Sequence, residues 1–326
     1  HEIREGVDLL RIPIWGKVAY AHLAPGFPRI LAMVLRTVQP DVIHVHMPNV
    51  SAFWLLRMKG TAPMVVHWHS DVLTSVKDLP LLCLYPGYAP FERWLLARAA
   101  AVISTSREYL RKSRPLQAVK KKCTVVPLAL DPHRMSSVQE TSPYDQRPMV
   151  LSAGRFTYYK GFDVLMRAAS LLPDTVRVVI AGDGKLRPKM LKEAERRGLM
   201  GKLSLPGRIS DQALHTLMAE SKVFCLPSVD RTEAFGMVLL EAMYYARPLV
   251  STRVEGSGMH EVNKHGINGL HVDPGDERAL AQALEFFLNN PHESRKMGER
   301  GRQRVENEFH ITTVVNRIND VYATLA

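Results

Sequence analysis

The chain has 326 residues, 46% hydrophobic and 23% charged, with 43 Lys and Arg against 32 Asp and Glu for a net charge of +11. That is apolar enough for about two domain cores and excludes a disordered or fibrous chain, while three scattered cysteines, Cys83, Cys123 and Cys225, exclude a disulfide framework and metal-ligand cysteine spacing. No uncharged apolar run reaches bilayer length and no signal-peptide pattern opens the chain, so a cytoplasmic protein, free or on the inner face of the membrane, is expected.

The chain opens on His1 and a strand-like piece at 7–13, then runs through DVIHVHMP (41–48) and PMVVHWHS (63–70). Residues 79–100, LPLLCLYPGYAPFERWLLARAA, are rich in Leu, Tyr, Trp and Pro; residues 107–122, REYLRKSRPLQAVKKK, hold seven Lys or Arg against one Glu. Apolar bulk beside a basic run suits an anionic membrane surface, and peripheral contact through residues 79–122 is expected, with a solvated helix face beside ordinary core as the alternative. No nucleic-acid partner is expected, since no recognised module accompanies the charge.

Two more β-branched runs, AAVISTS (100–106) and CTVVPLAL (123–130), complete a first series. A polar, proline-bearing stretch at 136–148 reads as a linker, dividing the chain between 142 and 143. The second series is PMVLSAGR (148–155), RVVIAGDG (177–184), KLSLPGRI (202–209), VFCLPS (223–228) and PLVSTRV (248–254). Continuous hydrophobic runs separated by helical patterns predict an α/β fold with parallel sheets covered on both faces. A last helix is expected over 311–326, with Val314, Ile318, Val321, Tyr322 and Leu325 on one stripe that packs back on the N-terminal domain.

Open α/β sheets bind ligands at the carboxyl ends of their strands, so the residues after each strand carry the chemistry. GRFTYYKG (154–161) puts Arg155 and Lys160 before a helix beginning near Phe162, which suits a diphosphate or is simply a solvated turn. GDG at 182–184 lacks the later glycine of the dinucleotide fingerprint and reads as a tight turn. EAFGMVLLEAMYYARP (233–248) is apolar nearly all round yet carries Glu241, a carboxylate that either has a structural donor or waits for a ligand. Gly236 lets the backbone approach that ligand, with Glu233 and Glu241 on either side of the helix's first amides.

Glu233, Phe235, Gly236 and Glu241, two glutamates eight positions apart around a Phe-Gly pair, resemble the E-x7-E motif of the retaining glycosyltransferases of family 4. Pro227-Ser228, Ala242-Met243, and Gly154, Arg155, Lys160 and Gly161 also look like that family, and similar segments follow in the same order over essentially the whole chain. The resemblance implies the GT-B fold, two Rossmann-like domains with parallel sheets facing a central cleft: an acceptor-side domain at 1–142, a nucleotide-sugar-binding domain at 143–310 and the helix at 311–326. It implies that Glu241 holds the ribose hydroxyls of a nucleotide sugar and Glu233 the hydroxyls of the transferred sugar. Arg155 and Lys160 would neutralise the leaving diphosphate beside Gly154, Phe235, Gly236 and Met237, and the backbone near Arg208 and Ile209 would meet the base. His69, in HWHSD (67–71), matches the family's histidine facing the sugar; the match extends less to His46 and hardly at all to His44 and His67.

Two departures stand out. The family's Gly-Gly before Pro-Glu is here EGSGMHE (255–261), which keeps Glu261 but has His260 for the proline and is reminiscent of bacterial members that build surface polysaccharides. The family's first strand and glycine-rich loop are not visible before Val7, so the N-terminal sheet is expected to lack that strand. The expected activity is transfer of a hexose from a UDP- or GDP-sugar, GDP-mannose being the subgroup's suggestion, to a hydroxyl of a glycan or lipid-linked acceptor. No cofactor or metal is expected, because no clustered acids or His/Cys set is placed to hold one. A nucleotide-sugar-binding protein without transfer, or a GT-B epimerase acting on the nucleotide sugar, are the alternatives.

Overall fold

The computed structural model describes residues 1–18, 21–58, 60, 62–74, 79–137 and 147–325, so positions 138–146 of the expected linker, with the boundary between 142 and 143, lie outside the described residues. The chain forms two compact units. One comprises His1–Ser104, Ser113–Val125 and the chain from Asn319 on; the other comprises Thr105–Lys112 and Val126–Ile318.

In the first unit β1 (Glu2–Arg4) pairs antiparallel with β2 (Val7–Leu9), and β3 (Gly16–Val18) with β4 (Ala21–Leu23). Its main sheet is parallel, with β5 (Ile43–Met47), β6 (Met64–Trp68), β7 (Ala101–Ser104) and β8 (Cys123–Val125) in chain order. Every residue of β6 and β7 is buried, as strands covered on both faces must be. The crossover from β6 to β7 includes a helix, Leu79–Arg98, that tolerates Pro86 and Pro90, buries Glu92, Leu95 and Leu96 and leaves Leu79, Leu84, Phe91 and Trp94 facing solvent.

The second unit holds six parallel strands: β9 (Met149–Ala153), β10 (Arg177–Ala181), β11 (Leu203–Gly207), β12 (Val223–Leu226), β13 (Leu249–Thr252) and β14 (Gly269–Val272). Their spatial order is β11-β10-β9-β12-β13-β14. This is the doubly wound 3-2-1-4-5-6 order, and the order reverses between β9 and β12, where such sheets bind their ligands.

Alternation along the strands divides the core between the two faces of this sheet. Val150, Val178, Ile180, Val223, Cys225 and Val250 pack on one face with the helix Phe162–Leu171. Leu151, Val179, Phe224, Leu226 and Leu249 pack on the other with Leu239, Leu240 and Met243. Both units are therefore Rossmann-like halves with parallel sheets, as the hydrophobic pattern predicts.

The last helix runs Ile311–Ala323, with Val314 and Val321 buried and Ile318, Tyr322 and Leu325 partly so. From Asn319 it belongs to the first unit, where the Tyr322 hydroxyl lies 2.5 Å from Nδ1 of His44.

Candidate active site

At the point of order reversal in the second unit, two loops leave adjacent strands and meet. After β9 the chain turns at Gly154 and makes a short 3₁₀ turn, Tyr158–Lys160, before the helix Phe162–Leu171. After β12 it passes Pro227 and Ser228 and loops through Asp230 to Glu233. Asp230 shapes that second loop: its carboxylate accepts from the Thr232 amide at 2.9 Å and hydroxyl at 2.6 Å, and its carbonyl from the Glu233 amide at 3.1 Å.

The Lys160 ammonium and the Glu233 carboxylate face each other at 2.6 Å, with only 10% and 11% of their side chains exposed. Ser228 adds a long 3.4 Å hydroxyl contact to the same carboxylate. Charges this dry are retained only when paired, so two residues 73 positions apart in sequence are tied to one spot. Arg155 is exposed beside them and donates to the Tyr159 hydroxyl at 3.3 Å.

The apolar helix is shorter than the sequence pattern suggests. It spans Met237–Tyr244 and is preceded by Gly236 in the left-handed region, at φ 83°. A Cβ there would stand 3.0 Å from Leu239 and 3.1 Å from Met259, so the position favours glycine both by conformation and by space. Phe235, Leu239, Leu240, Ala242 and Met243 are buried, Met237 is half-buried, and Glu241 lies on the less buried side.

No described residue hydrogen-bonds the Glu241 carboxylate. Burial pushes it up to about 6; the Asp211 charge adds to the rise and Lys160 opposes it. A half-buried carboxylate without a donor is a poor structural element and a ready ligand acceptor. Arg208 is exposed and Ile209 half-buried just after β11, in the loop ended by Ser210, whose hydroxyl caps the helix Asp211–Glu220.

His69 lies in the first unit, just past β6. Its Nε2 is 2.8 Å from Nδ1 of His46, its ring stacks on His67 at 4.4 Å, and burial, followed by repulsion from His46 and His44, pushes it down to about 4. At neutral pH it is an uncharged hydrogen-bonding group. The sequence reading found no His set placed to hold a metal, and the structure corrects it: His44, His46 and His67 bring ligand atoms within 4.8 Å of one another. Period-2 alternation on β5 and β6, with His46 opposite His67 in register, puts them on one face.

The family of glycosyl transferases group 1 matches residues 135–304, and that of the glycosyl transferase 4-like domain matches residues 1–129. The chain is a family 4-type GT-B glycosyltransferase. It is 32% identical over 292 residues to O-antigen chain mannosyltransferase C of Escherichia coli, covering 87% of this chain and 76% of that protein. It is 27% identical to phosphatidyl-myo-inositol mannosyltransferase of Mycobacterium leprae over 97% of this chain and 82% of that one. Among solved structures, sucrose-phosphate synthase of Thermosynechococcus elongatus superposes with a TM-score of 0.77 at 24% identity, over 92% and 77% of the two chains. The Anabaena protein HepE, solved with UDP, gives 0.73 at 20% identity over 93% and 83%.

In this glycosyltransferase the departing segment 255–261 is a brace for the Glu233 loop. The Ser257 hydroxyl donates to the Glu233 carbonyl at 2.5 Å, and the Gly258 amide to the Ala234 carbonyl at 2.7 Å. Glu261, expected from the resemblance, accepts from the Glu108 amide at 3.0 Å and so caps the short helix Arg107–Lys112. Ser257 was missed as a positioning residue; its only sequence signal was the altered Gly-Ser-Gly spelling.

Proposed function

We propose that the enzyme is a retaining transferase that takes a hexose from a nucleoside diphosphate sugar and gives it to a hydroxyl of a glycan or lipid-linked acceptor in surface polysaccharide or glycolipid synthesis. The observation that carries this reading is the buried Lys160–Glu233 pair at the reversal point of the second sheet, beside the unpartnered carboxylate of Glu241. The mannosyltransferase names of the Escherichia coli and Mycobacterium leprae relatives support mannose, and hence a GDP-sugar, whereas UDP in HepE supports a UDP-sugar.

In this reading Glu241 accepts from the ribose hydroxyls and Glu233 from hydroxyls of the sugar. Arg155 and Lys160 take the diphosphate at Gly154, with Phe235, Gly236 and Met237 closing the other side, and the backbone near Arg208 and Ile209 meets the base. His69 faces the sugar near its anomeric carbon. The bond from C1 to the leaving phosphate oxygen breaks, a bond from C1 to the acceptor oxygen forms on the same face, and the acceptor's proton passes to that phosphate oxygen. The two cations supply the charge stabilisation, so the step itself calls for no metal or cofactor.

The test is a thermal-shift screen against UDP, GDP and their sugar conjugates, with Glu241→Ala beside the parent. One nucleotide should raise Tm in the parent and not in the variant. A rise of the same size in Glu241→Ala would reject the ribose assignment.

The same residue predicts a pH dependence. Its folded pKa, about 6, lies above its unfolded value of 4.5, so its neutral form favours folding; that contribution is full below 4.5 and is lost as pH rises through 6. Hydroxyl donors favour the ionised form, so nucleotide affinity should fall about tenfold from pH 7 to pH 5, with proton release on binding at pH 5 to 6. An affinity that is flat across this range in calorimetry would count against the contact.

Membrane contact is proposed through the first unit. No helix among the described residues is long and apolar enough to cross a membrane. The helix Leu79–Arg98, however, exposes Leu79, Leu84, Phe91 and Trp94 by 66, 51, 44 and 58%. The basic run contributes less than its count suggests, since Arg111 and Lys112 pair with Glu255 and Lys122 donates to the Ala97 and Ala99 carbonyls at 2.7 and 2.8 Å. In the first unit exposed Arg114, Lys120 and Lys121 remain to attract anionic lipid. The chain should sediment with anionic vesicles at low salt and Trp94→Glu should not; an unchanged sedimented fraction in the variant would dismiss this face.

A further inference from the structure

Four histidine rings crowd one face of the first unit's sheet, with centroids 4.4–5.3 Å apart for neighbouring pairs. Such a cluster stays together only if its members are uncharged. A neutral imidazole has one N–H and one lone pair, so partners can be assigned nitrogen by nitrogen.

Nδ1 of His44 meets the Tyr322 hydroxyl at 2.5 Å, and Nδ1 of His46 meets Nε2 of His69 at 2.8 Å. Nε2 of His44 lies 3.2 Å from Nδ1 of His67. Nε2 of His67 is buried with no partner among the described residues, in a side chain whose residue is only 4% exposed. One buried nitrogen therefore lacks what almost every buried polar atom has.

We propose that His44, His46 and His67 form a binding site for a divalent transition-metal ion of the zinc type, with Tyr322 and His69 as outer hydrogen-bond partners. With Nδ1–H of His44 directed at Tyr322 and Nδ1–H of His46 at His69, both rings offer an Nε2 lone pair to an ion, that of His44 by giving up its 3.2 Å contact with Nδ1 of His67. Imidazole ligands in proteins are held in this way, through the other ring nitrogen. The three ligand atoms already lie within 4.8 Å of one another. Metal–nitrogen bonds of about 2.0–2.1 Å in a tetrahedron space ligands about 3.3 Å apart, a convergence that ring rotation supplies. Three neutral nitrogens without a carboxylate select zinc, copper or nickel over magnesium or calcium. His46 is exposed, which gives an ion entry and leaves a fourth position for water. The site is argued from the first unit alone and stands whether or not the donor reading above is right.

The test uses the full chain without an affinity tag, stripped with EDTA, titrated with zinc by calorimetry and with cobalt by visible absorption. One ion per chain should bind with a Kd tighter than about 10 µM, and His44→Gln or His46→Gln should weaken it at least about tenfold. Tyr322→Phe should weaken it less, by loss of the outer partner. His265→Gln, whose ring neighbours His271 in the second unit at 5.6 Å, should leave it unchanged. Circular dichroism checks that each variant is folded. Absence of binding at about 100 µM zinc, or parent affinity retained in both His44→Gln and His46→Gln, would overturn the proposal.

Discussion

Lys160→Met should abolish measurable sugar transfer and also destabilise the protein, whereas adding Glu233→Gln should restore much of the stability and none of the transfer. The two side chains form a 2.6 Å ion pair that is about nine-tenths buried. Removing one partner strands a charge in a dry site, which costs about 3–5 kcal/mol, whereas neutralising both removes the penalty. Loss of a charge-stabilising donor lowers kcat by about 10²–10³. The pair of readouts separates two roles that a single variant would confuse. If the double variant regained transfer along with stability, Lys160 and Glu233 would be a structural pair and the donor site would lie elsewhere.

Gly161→Ala should lower Tm by about 6–12 °C, while Gly275→Ala should lower it by only about 2–4 °C. Both glycines lie in the left-handed region, at φ 63° and 85°. A side chain there costs about 1–2 kcal/mol in either case. Space tells them apart: a Cβ on Gly161 would stand 2.0 Å from the Pro227 carbonyl oxygen and 3.0 Å from Val229, and one on Gly275 meets nothing within 4 Å. The carbonyl belongs to backbone at the end of β12 and cannot swing away, so overpacking adds about 1–3 kcal/mol. Relief requires the Lys160 turn to part from the Pro227–Ser228 segment, held also by the Val229 amide on the Tyr159 carbonyl at 2.8 Å. Transfer should fall with Tm in Gly161→Ala. Equal Tm losses in the two variants would show that close approach is not what holds these loops together.

Much of the site was legible in the residues because its parts lie close together in sequence. Arg155 and Lys160 share one loop, and Glu233, Gly236 and Glu241 share one loop and helix, so spacing alone groups them. That Lys160 would pair with Glu233 was not legible, because the meeting depends on β9 and β12 being neighbours in the sheet although β10 and β11 lie between them in the chain. The histidine cluster was read residue by residue, and His44 and His67 were set aside. Each His-x-His pattern predicts only a shared face of one strand; the cluster needs the β5–β6 register and Tyr322, 278 positions from His44.

The sequence by itself determined the elements and the class of fold. A run such as MVVHW can satisfy its backbone and bury both faces only as an interior parallel strand, and the apolar 237–244 stretch only as a covered helix. Tertiary structure alone decided strand order, the 2.0 Å approach that requires Gly161, the brace of Ser257 on Glu233 and the gathering of the four histidines. Hydrophobic periodicity is a local property that says which face is buried. Which buried faces meet depends on the packing of the whole core, and there the partners are set by distance in space rather than along the chain.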